Sequence, residues 1–460
     1  MRAHTAASLR TMLEIQGRSG QRALISELPE NFPALACVLR NRFTLADDPL
    51  ALRSGVPLSR GLKSAGGIRL DDYMCPVIPV YPSEAVLRRS NQTLINLRCM
   101  VASPRAKRGR IVAKPFRRTK TPAGSRVPVD LALQGGGSHG AFTWGVLDRL
   151  LEEDWLEIAG VSGTSAGAMN AAVLADGHAA GGAEGARQAL AAFWDFVADA
   201  ARFSPFQASP VSMALGNWSL THSPVYVAME MASRVFSPYV TNPTGLNPLA
   251  GVLHQVIDFD RLRVAPMKVF ITATNVRTGR GRVFRNAELT PEVLMASACL
   301  PTVFQAVEID GESYWDGGYS GNPTLTPLVR EVDSDDTILI PINPVERPGV
   351  PRTAAAILNR LNEVSFNAAT LKELRMIALL RQVADPGNGE GARWARMRVH
   401  MVGNDVMTGL DHSSKMNADR TFLHMLRDHG RAAGDAFLRE YGDNIGKCAS
   451  IDLDSLLDGV

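Results

Sequence analysis

Val127-Pro128-Val129-Asp130-Leu131-Ala132-Leu133-Gln134, followed at once by Gly135-Gly136-Gly137-Ser138-His139-Gly140, is the stretch that decides the fold of this chain. The first eight residues read as a short buried strand. Ala141, Trp144, Leu147, Leu150 and Leu151 then fall at helical spacing, so the glycines stand at a strand-to-helix turn. A loop of this kind presents unpaired backbone N–H groups and the positive end of a helix dipole, which together suit an anion. Gly135, Gly137 and Gly140 also satisfy GxGxxG, and Glu157 lies near the distance at which a dinucleotide fold places its ribose-binding acid. Both readings are open at this point.

The next strand separates them. Ile158-Ala159-Gly160-Val161-Ser162 runs into Gly163-Thr164-Ser165-Ala166-Gly167 and then into a small-residue helix through Met169, Ala172 and Val173. A dinucleotide fold would end this strand in an acid; here it ends in GxSxG, a turn that lifts a serine hydroxyl above the sheet. Such a hydroxyl needs a base within reach, either an imidazole or a carboxylate acting directly. Far downstream, Ile309-Asp310-Gly311-Glu312-Ser313-Tyr314-Trp315-Asp316-Gly317-Gly318 predicts a turn, a short strand and a carboxylate held on a glycine turn.

Strand, Gly-Gly-Gly-x-x-Gly, helix, strand, Gly-x-Ser-x-Gly and a later Asp-Gly-Gly are, in type and order, similar to the patatin-like phospholipase family. Val269 to Asn275 with Thr278-Gly279, the run Ala296 to Pro301, and Asn322-Pro323 resemble it as well, so the likeness spans residues 129 to 345. The resemblance implies an α/β fold: a three-layer α/β/α domain with a mainly parallel central sheet, whose Ser–Asp dyad hydrolyses lipid acyl esters without cofactor or metal. Carried over by motif, Ser165 is the nucleophile, Asp316 the base, and Gly135, Gly136 and Gly137 the oxyanion-hole donors. Ser138, His139, Gly140, Gly163, Gly167, Gly317 and Gly318 support them. The chain departs from the family at His139, where Arg or Lys is usual, so a mostly neutral imidazole replaces a fixed charge.

Composition limits the alternatives. In 460 residues, 45% hydrophobic and 21% charged, there is ample material for a large core, and wholesale disorder is excluded. The cysteines Cys37, Cys75, Cys99, Cys299 and Cys448 are scattered and odd in number, which argues for reduced thiols rather than a disulfide framework or zinc site. With neither a long apolar run nor an apolar leader, the expected placement is cytoplasmic, with peripheral contact to a membrane surface. The net charge of +3 conceals an asymmetry: residues 1–128 carry 22 Lys+Arg against 8 Asp+Glu, leaving 27 against 38 for the rest. The basic excess peaks from Arg105 to Lys120, a composition expected to stay flexible, serving either as a solvated linker or as a tether to anionic lipid. Phe116 alone is too little aromatic surface for nucleic-acid stacking, and no nucleic-acid partner is expected.

The organisation expected is therefore a poorly ordered basic region (1–126), a catalytic domain (127–345) and a mostly helical C-terminal part (346–460) packing on it. Within the domain, residues 202–250 hold only Arg202, Glu230 and Arg234 as charges among many large apolar residues. They read as a cap over an acyl chain or as ordinary core. In the C-terminal part, helices are expected over 354–361, 364–383 and 420–441, with a strand at Arg398 to Val402 and no chemistry. Two further functions are kept: a Ser-His-Asp α/β-hydrolase using His400, His412, His424 or His429, and a catalytically weak, membrane-associated lipid-binding protein.

Overall fold

The computed structural model describes residues 126–457, apart from 203, 205, 209–211, 214, 385–388 and 404. The expectations for the basic N-terminal region, Arg105 to Lys120 included, lie outside the described residues. Eight strands form one sheet: β1 (Val127–Leu133), β2 (Leu156–Gly163), β3 (Lys268–Asn275), β4 (Gly281–Arg285), β5 (Val307–Ile309), β6 (Glu312–Asp316), β7 (Asp336–Ile340) and β8 (Arg398–Met401). The order is β5-β6-β3-β2-β1-β7-β8, with β4 also on β3. From β3 to β8 every pairing is parallel, and β4, β5 and β6 add antiparallel ladders at one side.

The strand period of two sorts side chains onto two faces. Leu131, Leu133, Val269, Ile271, Ile338 and Ile340 enter one core, while Ala132, Phe270 and Leu339 enter the other. The first face is covered by α1 (Gly140–Leu150) and α2 (Ala166–Ala200). Between α2 and β3 come α3 (Pro224–Ser233) and α4 (Pro248–Val256), and α5 (Pro291–Ser297) follows β4. The second face carries α6 (Thr326–Glu331), α7 (Ala354–Val383) and α8 (Gly389–Arg396) through Leu328, Leu374, Ile377 and Trp394. The last long helix, α9 (Arg420–Tyr441), returns to the first face through Phe422, Leu426 and Phe437. The result is the expected three-layer α/β/α arrangement.

The β3 strand has more partners than two edges normally hold, and this places the carboxylate. β4 runs along Phe270 to Thr274, β2 pairs Lys268 to Ile271, and β6 pairs Ala273 to Asn275. Since β4 occupies one edge throughout, β2 and β6 must share the other. β6 thus takes over the edge where β2 stops at Gly163, and Asp316, opposite Ala273, arrives beside the turn that carries Ser165.

The α9 helix is not an appendage. A Cβ on Gly145 of α1 would stand 1.9 Å from the Arg427 carbonyl oxygen, and one on Gly430 would stand 2.0 Å from that of Phe142. The two helices therefore meet backbone to backbone. Gly145→Ala is expected to lower stability by about 3 kcal/mol, a drop of roughly 6–10 °C in Tm, because neither backbone can give way cheaply. Thermal unfolding reads this directly; an unchanged Tm would mean that the helices do not touch there.

One sequence expectation needs correction. α7 is a single helix from Ala354 to Val383, where two were expected with a break at Asn362-Glu363. Those polar residues do not end the helix, since neither is Gly or Pro. Glu363 is buried beneath Arg347 and Arg360, and Asn362 turns into the site described below. The break expected at Asp385 to Gly389 falls outside the described residues except for Gly389, which opens α8. No helix among the described residues is long and apolar enough to cross a membrane.

Candidate active site

The turn after β2 is held by sterics. A Cβ on Gly163 would lie 2.3 Å from the Gly167 carbonyl oxygen, and one on Gly167 would lie 2.1 Å from that of Leu133, so neither position tolerates a side chain. Between them Ser165 adopts φ 55°, ψ −122°, a backbone strained for any residue with a Cβ, immediately before α2. Its N–H donates to Ser297 Oγ at 2.9 Å, and Ser297 donates to the Thr272 carbonyl at 2.7 Å, which pins the turn to β3.

Asp316 closes β6 and is almost fully buried. One carboxylate oxygen accepts the Gly318 N–H at 2.7 Å; the other has no settled partner. Burial pushes this carboxyl up to about 6, and the Gly318 N–H, the Ser165 hydroxyl and the charge of Lys415 each pull it part of the way back. The adjoining glycines are again steric: a Cβ on Gly317 would meet the Thr272 carbonyl at 2.0 Å, and one on Gly318 the Phe366 ring at 2.3 Å.

The glycine loop lies over both. Gly136, Gly137, Ser138, Ser165 and Asp316 line one cavity of about 410 Å³. Gly137 takes φ 57°, the left-handed region that glycine enters freely. Gly135 stands apart. Its N–H, expected among the oxyanion donors, is held by Asn322 Oδ1 at 2.6 Å, and its carbonyl accepts from Asn343 Nδ2 at 2.9 Å. Gly135 therefore fastens the loop, while Gly136, Gly137 and Ser138 line the cavity. Gly140 allows α1 and α2 to cross, since a Cβ there would sit 2.7 Å from that of Ala166.

Residues 131–329, which contain the loop, the serine turn and the Asp-Gly-Gly turn, match the family model of patatin-like phospholipases. This stretch is a patatin-like phospholipase domain. The family of that domain is one of lipid acyl hydrolases. Among solved structures, the crystal structure of VipD from Legionella pneumophila is similar over 75% of this chain and 72% of its own, at 15% identity and a TM-score of 0.33. No curated protein matches the chain.

The patatin-like domain does not enclose the whole site. His139 is buried, and burial together with nearby Lys415 drives it down to about 3, so the imidazole is neutral. Ser414 Oγ donates to the Asp411 carbonyl, so His139 Nε2 is the donor to Ser414 Oγ at 2.8 Å, leaving Nδ1 as an unpartnered acceptor. Lys415 lines the same cavity as Ser165 and Asp316, and Asn362 and Phe366 of α7 join it there. Asn343, Asn362, Phe366 and Lys415 all lie beyond residue 329. No local pattern in the C-terminal part announces them, since each is a single polar or aromatic residue in otherwise ordinary helix or loop.

The alternative readings find no geometry. Among the described residues no imidazole hydrogen-bonds Ser165 or Asp316. His400 is buried against Asp336 at 2.9 Å, His424 meets Asp195 at 3.0 Å, and His429 is exposed. His412 does reach the cavity, but its Nε2 is 3.2 Å from the Tyr226 hydroxyl. Glu157, the acid a dinucleotide site would need at the carboxyl end of β2, pairs with Pro128 near the opposite end of the strand.

Proposed function

We propose that this protein is a serine lipid acyl hydrolase, a phospholipase A or related ester hydrolase, working through Ser165 and Asp316. The observation that carries the reading is that these two residues, far apart in the chain, line one cavity together with Gly136 and Gly137 of the glycine loop. Asp316 takes the Oγ proton as Oγ bonds to the ester carbonyl carbon and the carbonyl electron pair moves onto oxygen. That oxyanion is received by the two glycine N–H groups. Collapse breaks the bond to the alcohol, which leaves with the proton from Asp316, and the acyl group stays on Ser165. Water then gives a proton to Asp316 and attacks the acyl carbon; Oγ leaves with that proton and the fatty acid departs. Labelling by a serine-directed phosphonate followed by peptide mapping tests this: modification at Ser165 supports it, and labelling elsewhere or none at all contradicts it.

The cavity walls favour an acyl chain. Met169, Phe193, Trp194, Met229, Leu249 and Phe304 surround the space beside the serine. Met229 and Leu249 come from α3 and α4, within residues 202–250, while Met231, Phe236, Tyr239 and Leu246 of the same stretch face outward. This supports a cap whose inner side covers the chain and whose outer side meets a lipid surface. Met229→Glu is expected to lower kcat/KM for dodecanoyl esters about tenfold relative to butanoyl esters, the worth of roughly two buried methylenes. Equal loss on both would remove the cap from the account.

A further inference from the structure

We propose that Lys415 is the cation of the active site, its ammonium opposing the negative charge that develops on the ester oxygen during attack by Ser165. The proposal rests on the Ser165–Asp316 reading above and extends it to a residue outside the family-matched stretch.

The Lys415 side chain runs along the glycine loop. A Cβ on Gly136 would stand 3.8 Å from Lys415 Cε, and one on Gly137 would stand 2.4 Å from the Lys415 carbonyl oxygen. At its end, Nζ donates to Asn343 Oδ1 at 2.7 Å and to Asn362 Oδ1 at 2.8 Å, and lies 5.4 Å from the centre of the Phe366 ring. Phe366 in turn abuts Gly318, next to Asp316. The ammonium therefore stands between the loop and the carboxylate turn, in the cavity that holds both. It has three donors, of which two have acceptors among the described residues.

Charge gives the placement its meaning. Among the described residues Lys415 makes no ion pair. Glu363, which attracts it, is already shared by Arg347 at 2.7 Å and Arg360 at 3.1 Å. Amide oxygens orient a cation without neutralising it, and an ammonium buried with no counter-ion is unfavourable in a resting protein. The reaction moves a negative charge within the cavity that holds it. Before attack the negative charge is on Asp316; once the Oγ proton has moved, it is on the ester oxygen beneath Gly136 and Gly137. A cation placed along that loop and not paired with Asp316 gains attraction as the charge migrates, which is the condition for accelerating a step rather than merely tightening binding. Burial lowers Lys415 to about 8, with Arg347 lowering it further and Glu363 and Asp316 holding it up, so it stays mostly protonated at neutral pH. His139 and His412, the imidazoles nearest it, are both shifted down by burial and by this charge and do not compete for the role.

The test uses the full chain with Lys415→Met and Lys415→Arg, assayed on p-nitrophenyl butyrate and on phosphatidylglycerol in mixed micelles across pH 6–10. The expected result for Lys415→Met is a fall in kcat of about a hundredfold on both substrates, with KM changed less than about threefold. Lys415→Arg should retain most activity on the small ester, and the decline of kcat expected above about pH 8 in the wild type should move to higher pH, because guanidinium does not deprotonate there. Unchanged kcat in Lys415→Met overturns the proposal, as does a loss confined to KM for phosphatidylglycerol, which would make the residue a head-group ligand. If Lys415→Met fails to fold, the pH profile of Lys415→Arg still decides, since an alkaline limb identical to wild type overturns the assignment. A wild type that neither turns over nor takes the phosphonate label overturns the Ser165–Asp316 reading and this one together; an active, labelled wild type with indifferent Lys415 variants overturns this one alone.

Discussion

Ser165→Ala is expected to lower kcat by about five to six orders of magnitude and to abolish phosphonate labelling, with the melting temperature hardly changed. The size follows from the role: removing the nucleophile of a serine hydrolase leaves only what the oxyanion donors and substrate binding can do with water. Ala keeps a Cβ, so the strain at φ 55° stays and folding is not the variable being changed. Ser165→Gly gives the complementary control. It should be equally inactive but more stable than the Ala variant by about 1 kcal/mol, because glycine enters that region without a steric penalty. Substantial turnover in either variant would show that the hydroxyl is not the group that attacks.

The second large effect is expected at Asp316→Asn, with kcat lowered by about four orders of magnitude and stability raised at neutral pH. The amide can still accept the Gly318 N–H but cannot take the Oγ proton. In the wild type, activity should rise with pH through about 6, where the buried carboxyl becomes ionised and able to act as a base. The sign of the stability effect follows from the same shift. The folded-state value lies above the unfolded value of about 4, so the folded protein binds the proton more tightly, and that stability, fully present below pH 4, is lost as pH rises through 6. At pH 7 the isolated carboxylate costs about 2–3 kcal/mol, which Asn avoids. Melting curves at pH 4 and pH 7 should show a gain for Asp316→Asn only at the higher pH. A variant less stable at both would mean that burial does not strain this group.

Removing the nucleophile should leave the pH dependence of stability intact, whereas removing the base should erase the part belonging to Asp316. The two variants thus separate the chemistry from the electrostatics that prepares it. Comparison with Lys415→Met adds the third charge of the site, which no one of these residues reveals alone.

Much of the frame was legible in the chain. β1, the glycine loop, α1, β2 and the Ser165 turn are local in sequence, and each is set by short-range rules: apolar alternation, helical spacing, and glycines where a Cβ would strike backbone within a few residues or in the adjacent strand. α9 could be bounded to the residue, Arg420 to Tyr441, with Asp419 capping the N–H groups of Thr421 and Phe422. The Asn362-Glu363 step read as a break because polar residues interrupt an apolar stripe. Its true cause lies elsewhere in space, in Lys415, Arg347 and Arg360.

The sequence by itself determined β1, the glycine loop, β2 and the serine turn, because those depend on neighbours along the chain, while the layer order and the choice of Asp316 as base came from the resemblance of the motifs in their order. Only the tertiary structure showed that the Gly135 amide hydrogen is taken and that Lys415 enters the cavity. Asn322 must come 187 positions along the chain to occupy the Gly135 N–H. Lys415 must be brought from the C-terminal part to the glycine loop and held there by Asn343 and Asn362. Hydrogen-bond partners and unpaired charges are properties of distance in space, and separation along the chain carries no trace of them.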